Sequence, residues 1–180
     1  MRSLCADATE RLRELHHIQL DLVAVSFAQS RKPVLYGLQA SLTPLRFEGG
    51  SRYGVQDGRR VTVQQLFDQR GRELLYILNF YMPRFMDLDF REKLVTVFHE
   101  LWHISPRFDG DIRRHAGRCY AHTPSQSGYD QKMGQLVNRY LALDPPREIV
   151  RFLKFNFKQL ERRFGCVYGF KVPRPKLISV

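Results

Sequence analysis

The sequence predicts an α+β domain, and three observations carry that reading. Strand-like runs cluster in the first half, while the strongest amphipathic helices come later. That order suits helices laid on one sheet better than helices alternating with its strands. The chain has 180 residues, a length that suits a single domain. Its 43% hydrophobic and 12% aromatic fractions are enough to build a core.

Residues 6–17 read as a short helix. Residues 18–29 (IQLDLVAVSFAQ) are rich in Val, Leu, Ile and Phe and read as a strand. Residues 33–47 (PVLYGLQASLTPLRF) read as a second strand, broken or bulged near Pro44. Glu48-Gly49-Gly50-Ser51 is a turn. Residues 59–67 are ambiguous, with a third strand as one reading, and residues 74–79 (LLYILN) form an apolar strand-like run. Together these runs predict a small, mostly antiparallel sheet.

The next helix is the best marked. Asp89 is placed to cap it, and Glu92 completes a D-x-x-E capping box. Phe90, Leu94, Val97, Phe98, Leu101 and Ile104 recur at helical spacing and form a buried stripe. Glu92, Thr96, His99 and His103 fall on the neighbouring face. The helix should end near Ser105-Pro106, because proline disfavours helix in the residue before it.

This helix contains His99-Glu100-Leu101-Trp102-His103, an H-E-x-x-H pattern. With 6 His in 180 residues, chance places the pattern in roughly 1 of 100 such chains. Histidines four apart on a helix stack on one face, so both imidazoles can bind one zinc ion. Glu100 beside them can then act as general base toward a metal-activated water.

A catalytic zinc takes three protein ligands and keeps one position for water. Three residues can supply the third ligand. His122 stands just before the next helix, His115 lies within the loop, and Asp109 follows His103 by six residues. Asp109 matches the metzincin spacing, with Pro106 in place of the usual glycine. Tyr129, Tyr120, Arg118 and the unused histidine are candidate donors to a developing oxyanion. Asp109 and Asp111 are alternatively placed to orient ligating imidazoles. Trp102 reads as packing at the seam of helix and loop, Gly110 as turn chemistry, and His16-His17 as surface residues.

Residues 105–128 form a long loop rich in Gly, Pro, Asp and Arg. A second helix is expected over residues 129–143, ended by Asp144-Pro145-Pro146. Residues 147–163 read as a basic amphipathic helix, followed by an extended tail. The expected organisation is one domain, with a core over about 18–143 and a basic extension over 147–180.

Net charge is +11, and residues 147–180 hold nine Lys/Arg against two Glu. Such a segment suits a polyanion, nucleic acid above all. Cys5, Cys119 and Cys166 are far apart and odd in number, which offers neither a zinc ribbon nor a disulfide framework. A reducing cytoplasmic compartment is the simplest expectation. Residues 1–17 are charged and lack the apolar stretch of a secretory signal. No run approaches the ~18 apolar residues a membrane helix needs, so no membrane contact is expected.

The segment YILNFYMPRFMDLDFREKLVTVFHELWHISPRFDGDIRRHAGRCYAH resembles the phage-type metallopeptidases and, more loosely, SprT-like and minigluzincin domains. The resemblance spans roughly residues 18–143, with its specific part over 99–122. It implies a zincin-like, minigluzincin-type fold with a small sheet and a second helix packed on the motif helix. It also implies His99, His103 and His122 (or His115) as zinc ligands and Glu100 as the base. The activity it implies is zinc-dependent hydrolysis of peptide bonds in a protein or peptide substrate. The competing expectation is a non-catalytic, zinc-stabilised nucleic-acid-binding module. Glu100 speaks against that alternative, since a closed structural site has no use for a base.

Overall fold

The computed structural model describes residues 1–30, 37–114 and 126–180, with side chains from 131 onward in the last stretch. The architecture is α+β. Helix α1 (Arg2–Arg11) leads through two single helical turns into strand β1 (Val23–Gln29). Strand β2 (Ala40–Pro44), the hairpin β3 (Tyr53–Gln56) and β4 (Arg59–Val63), and strand β5 (Tyr76–Met82) follow. Helices α2 (Phe90–Trp102), α3 (Gln126–Ala142), α4 (Arg147–Val150) and α5 (Phe157–Phe164) precede the last strand, β6 (Leu177–Ser179).

The described residues form two sheets where one was expected. The first has the order β1-β5-β2 and is mixed, with β1 parallel and β2 antiparallel to β5. The second, β3-β4-β6, is antiparallel. Its hairpin turns at Asp57-Gly58, both at positive φ (51° and 74°), as a two-residue turn requires. The first strand is also shorter than residues 18–29 suggested, because a single helical turn occupies Leu20–Leu22.

Alternation on β5 sets the two faces of the first sheet. Tyr76, Leu78 and Phe80 enter the core with α1, α2 and α3, and all three are fully buried. The predicted stripe of α2 meets them: Leu94, Val97, Phe98, Leu101 and Ile104 are buried. Phe98 packs edge-on against Tyr140 of α3, with centroids 5.4 Å apart. Tyr140 Oη donates to buried Asp7 of α1 at 2.7 Å, and Arg11 Nε donates to the other oxygen at 2.7 Å. One carboxylate therefore ties α1 to α3.

The basic segment does not form the continuous helix expected over 147–163. It breaks into α4, a single turn over Arg151–Lys154, and α5, which restarts with its own capping box at Asn156 and Gln159. The break has a tertiary cause. Lys93 of α2 is buried, and its Nζ donates to the carbonyls of Leu153 (2.8 Å) and Phe155 (2.9 Å). A continuing helix would use those carbonyls internally. No helix among the described residues is long and apolar enough to cross a membrane.

Candidate metal centre

Helix α2 begins with a complete capping box. Asp89 accepts from the Glu92 N–H at 2.7 Å, and the Glu92 carboxylate accepts from the Asp89 N–H at 3.2 Å. The helix ends at Trp102, earlier than Ser105-Pro106 suggested, with His103 as the C-cap residue. The physical reason lies beyond the helix. The His103 carbonyl accepts from Arg113 N–H at 2.6 Å, and Ile104 bridges to Ile112, so the chain has turned into an extended pairing before the proline arrives.

His99 and His103 are half-buried and stand together. Their Nε2 atoms are 2.9 Å apart, with rings nearly perpendicular at 77°. With both rings neutral and the protons on Nδ1, the two Nε2 lone pairs are available to one metal ion. At Zn–N distances of about 2.0–2.1 Å, a 2.9 Å gap subtends about 90° at the metal. A tetrahedral angle needs about 3.3 Å, an opening of a few tenths of an ångström. The pair thus fits a zinc ion in donor chemistry and nearly in spacing.

Glu100 is buried, with 8% exposure, on the side of α2 that meets β2. Burial pushes its carboxyl up to about 7, against a smaller downward pull from a hydrogen bond with the Leu42 backbone. Among the described residues, Leu42 lies on the outer edge of the first sheet. Tyr81 N–H donates to the Gln39 carbonyl, so Gln39 and Ser41 face β5, while Ala40 and Leu42 turn their backbone groups away from it. Glu100 and the sheet edge therefore meet on the β2 side of α2.

The loop after α2 is locked to the sheet. Tyr76 Oη donates to the Asp111 carbonyl (2.8 Å) and accepts from Gly110 N–H (2.9 Å). Gly110 has φ +86°, and a Cβ there would lie 2.3 Å from Arg46 Cγ, so its turn role holds. Asp111 is buried and accepts from Gly49 N–H, Ile112 N–H and Arg114. Burial alone would raise its carboxyl, but the Arg114 guanidinium and the two N–H groups hold it below the ordinary value.

Asp109 Oδ2 lies 3.1 Å from Arg107 Nε, an ion pair without hydrogen-bond alignment, while Oδ1 accepts from Asp111 N–H. Among the described residues, no group of three His, Cys, Asp or Glu side chains is arranged to hold a metal. Asp109 is thus not brought to the histidine pair as a third ligand. His115, His122, Arg118 and Tyr120 lie outside the described residues, as does the side chain of Tyr129.

Trp102 is the packing residue it was expected to be. It is 7% exposed, with Arg113 on its ring at 3.9 Å and Lys132 of α3 at 4.0 Å. His16 is exposed, as expected, but His17 is not a surface residue. It is half-buried, and its Nε2 is buried without a hydrogen-bond partner among the described residues. Burial lowers its pKa, and so does Arg113. The only signal was the apolar neighbour Ile18, which carries the chain inward. Comparison with family models, curated proteins and solved structures finds no match.

Proposed function

We propose that this protein is a zinc-dependent metallopeptidase of zincin-like fold, with His99 and His103 as two zinc ligands and Glu100 as the general base. His122 or His115 completes the ligand set. The observation that carries the reading is the approach of the two Nε2 atoms to 2.9 Å on a helix that also buries Glu100, the residue after His99. Zinc bound there supplies Lewis acidity, activating a water and polarising the scissile carbonyl.

The remaining roles belong to the chain's own groups. A Glu100 oxygen takes the proton of the attacking water and passes it to the leaving amine. The outward backbone of Ala40 and the Leu42 carbonyl offer hydrogen bonds to an extended peptide, which favours a polypeptide substrate over a compact small molecule. Asp111, Tyr76 and Arg113 fix the backbone of the loop that follows His103. The proposal extends to nucleic acid as a partner of the basic segment 147–180, and to a reducing cytoplasmic setting.

Glu100→Gln is the direct test, with hydrolysis of an unfolded protein such as reduced casein as the readout. Retained zinc with hydrolysis lowered by about 100-fold or more is expected, the scale of general-base catalysis. Cleavage at the parent rate would remove Glu100 from the chemistry. A closed site with four protein ligands would instead favour the zinc-stabilised nucleic-acid-binding module.

A further inference from the structure

The face of the first sheet turned away from α2 carries polar groups under an unusual roof. Ile77, Asn79 and Tyr81 of β5 point there by alternation, beside Ser41 and Thr43 of β2. The C-terminal tail crosses above them, tied at both ends. Its Phe170 carbonyl accepts from Phe27 N–H at 2.8 Å, and Val172 N–H donates to Ser26 Oγ at 3.0 Å. Beyond the crossing, Gln64 N–H donates to the Lys176 carbonyl at 2.8 Å and β6 joins the second sheet. Gly169 lies so close to Phe27 that a Cβ would stand 2.6 Å from its ring, which holds the tail flat against β1.

Between tail and sheet is a cavity of about 430 Å³, lined by Ser41, Thr43, Asn79, Tyr81, Lys171 and Arg174 among others. Three features of its lining ask for a ligand. Asn79 Oδ1 is buried with no hydrogen-bond partner among the described residues, which leaves an acceptor without a donor. Ser41 Oγ and Tyr81 Oη share only one 3.3 Å contact, so both keep spare capacity. Lys171 and Arg174 make no ion pair among the described residues, although they stand over the same opening. The occupant should therefore bring an anion for the two cations and a donor for Asn79. It should also bring a body that lies on Ile77 and the Tyr81 ring. The cavity falls in the size range of organic-ligand sites and is larger than a lone inorganic anion needs.

We infer that this trough binds a nucleoside phosphate, either free or as one unit of a single strand. The phosphate lies on Lys171 and Arg174, and a base or sugar donor reaches Asn79 Oδ1. Stacking on Tyr81 adds affinity without sequence preference. The inference rests on the nucleic-acid contact proposed for residues 147–180, gives that contact a site, and is independent of the zinc reading.

The test uses the full chain and anisotropy of a short fluorescein-labelled oligo(dT), with thymidine monophosphate, inorganic phosphate and poly-glutamate as competitors. Lys171→Ser/Arg174→Ser is compared with Arg162→Ser/Arg163→Ser, an equal charge change on α5. The tail variant is expected to lower the slope of log affinity against log salt by about 0.7, the value for one lost phosphate contact on a single strand. It should weaken binding by at least ten-fold more than the α5 variant. Asn79→Leu, with no charge change, should weaken binding about ten-fold, the scale of one orphaned hydrogen bond. Competition by the mononucleotide identifies a free-ligand site, and competition by oligonucleotide alone identifies a strand site; either supports the inference. Equal losses in the tail and α5 variants, with Asn79→Leu unchanged, would overturn the trough while leaving the polyanion contact standing. No oligonucleotide or mononucleotide binding would overturn both, and equal competition by poly-glutamate would overturn the trough and leave only a generic polyanion contact.

Discussion

Helices α2 and α5 begin with the same device and end with different capacities. Each has a reciprocal capping box, Asp89 with Glu92 in one and Asn156 with Gln159 in the other. Yet α2 buries Leu94, Val97, Phe98, Glu100, Leu101 and Trp102, whereas α5 buries only Leu160. A cap decides where a helix starts. The surroundings of its inner face decide whether it can hold a side chain in one place. Groups meant for chemistry need the first kind of helix, because a bond-making geometry tolerates little drift. A basic surface that meets a polyanion can use the second kind, since charge acts over several ångströms.

The largest expected effect is on activity. Glu100→Gln should lower hydrolysis by about 100-fold or more with the fold intact, as read by circular dichroism beside the cleavage assay. The corresponding change on α5, Glu161→Gln, should leave hydrolysis unchanged; a comparable loss there would erase the distinction between the helices.

Core truncations come next. Leu101→Ala should cost about 2–5 kcal/mol of stability in denaturant unfolding, because Leu101 is fully buried in the main core. Leu160→Ala should fall at or below the low end of that range, since Leu160 sits at the margin of the core with 7% exposure. Equal losses would mean that α5 is as integral to the fold as α2.

Acid unfolding sharpens the contrast. The Asp111 carboxyl is held below its ordinary value by Arg114 and by the N–H groups of Gly49 and Ile112, with burial acting in the opposite direction. Its contribution is therefore complete above the unfolded value, about 4, and is lost as pH falls through the lower folded value. Asp111→Asn should lower the melting temperature at neutral pH and flatten the acid limb below about pH 4. An unchanged acid limb would show that this carboxylate does not secure the loop.

The smallest effects separate the two caps themselves. Asp89→Ala should cost about 1 kcal/mol globally, because α2 unfolds only with the core. Asn156→Ala should show most of its loss as faster amide exchange within α5, because a peripheral helix frays alone. Global destabilisation by both variants alike would contradict that picture.

The motif helix was legible because every signal for it is local. Cap, apolar period and H-E-x-x-H all lie within residues 89–104, and the structure bears out the cap and the buried stripe. The second sheet was harder to see. Its turn signal, Gln56-Asp57-Gly58-Arg59, is present, but Tyr53 and Val55 are exposed and Val61 alone is buried, so the period-two pattern is faint. The parallel pairing of β1 with β5 joins residues some fifty apart, from Val23 with Tyr76 to Gln29 with Met82, beyond the reach of local patterns. The split of the basic segment depends on Lys93, which in sequence is one more charged residue of an amphipathic helix. At the candidate site, His99, Glu100 and His103 stood out by spacing alone. Leu42 did not, because only the fold brings the edge of β2 to Glu100.

Zinc content tests the central claim most directly. After zinc reconstitution and removal of loose metal, elemental analysis of the purified chain should find about one zinc per molecule. The His99→Ala/His103→Ala variant should find essentially none while keeping its circular dichroism spectrum. Equal zinc in both proteins, or no zinc in either, would contradict the account.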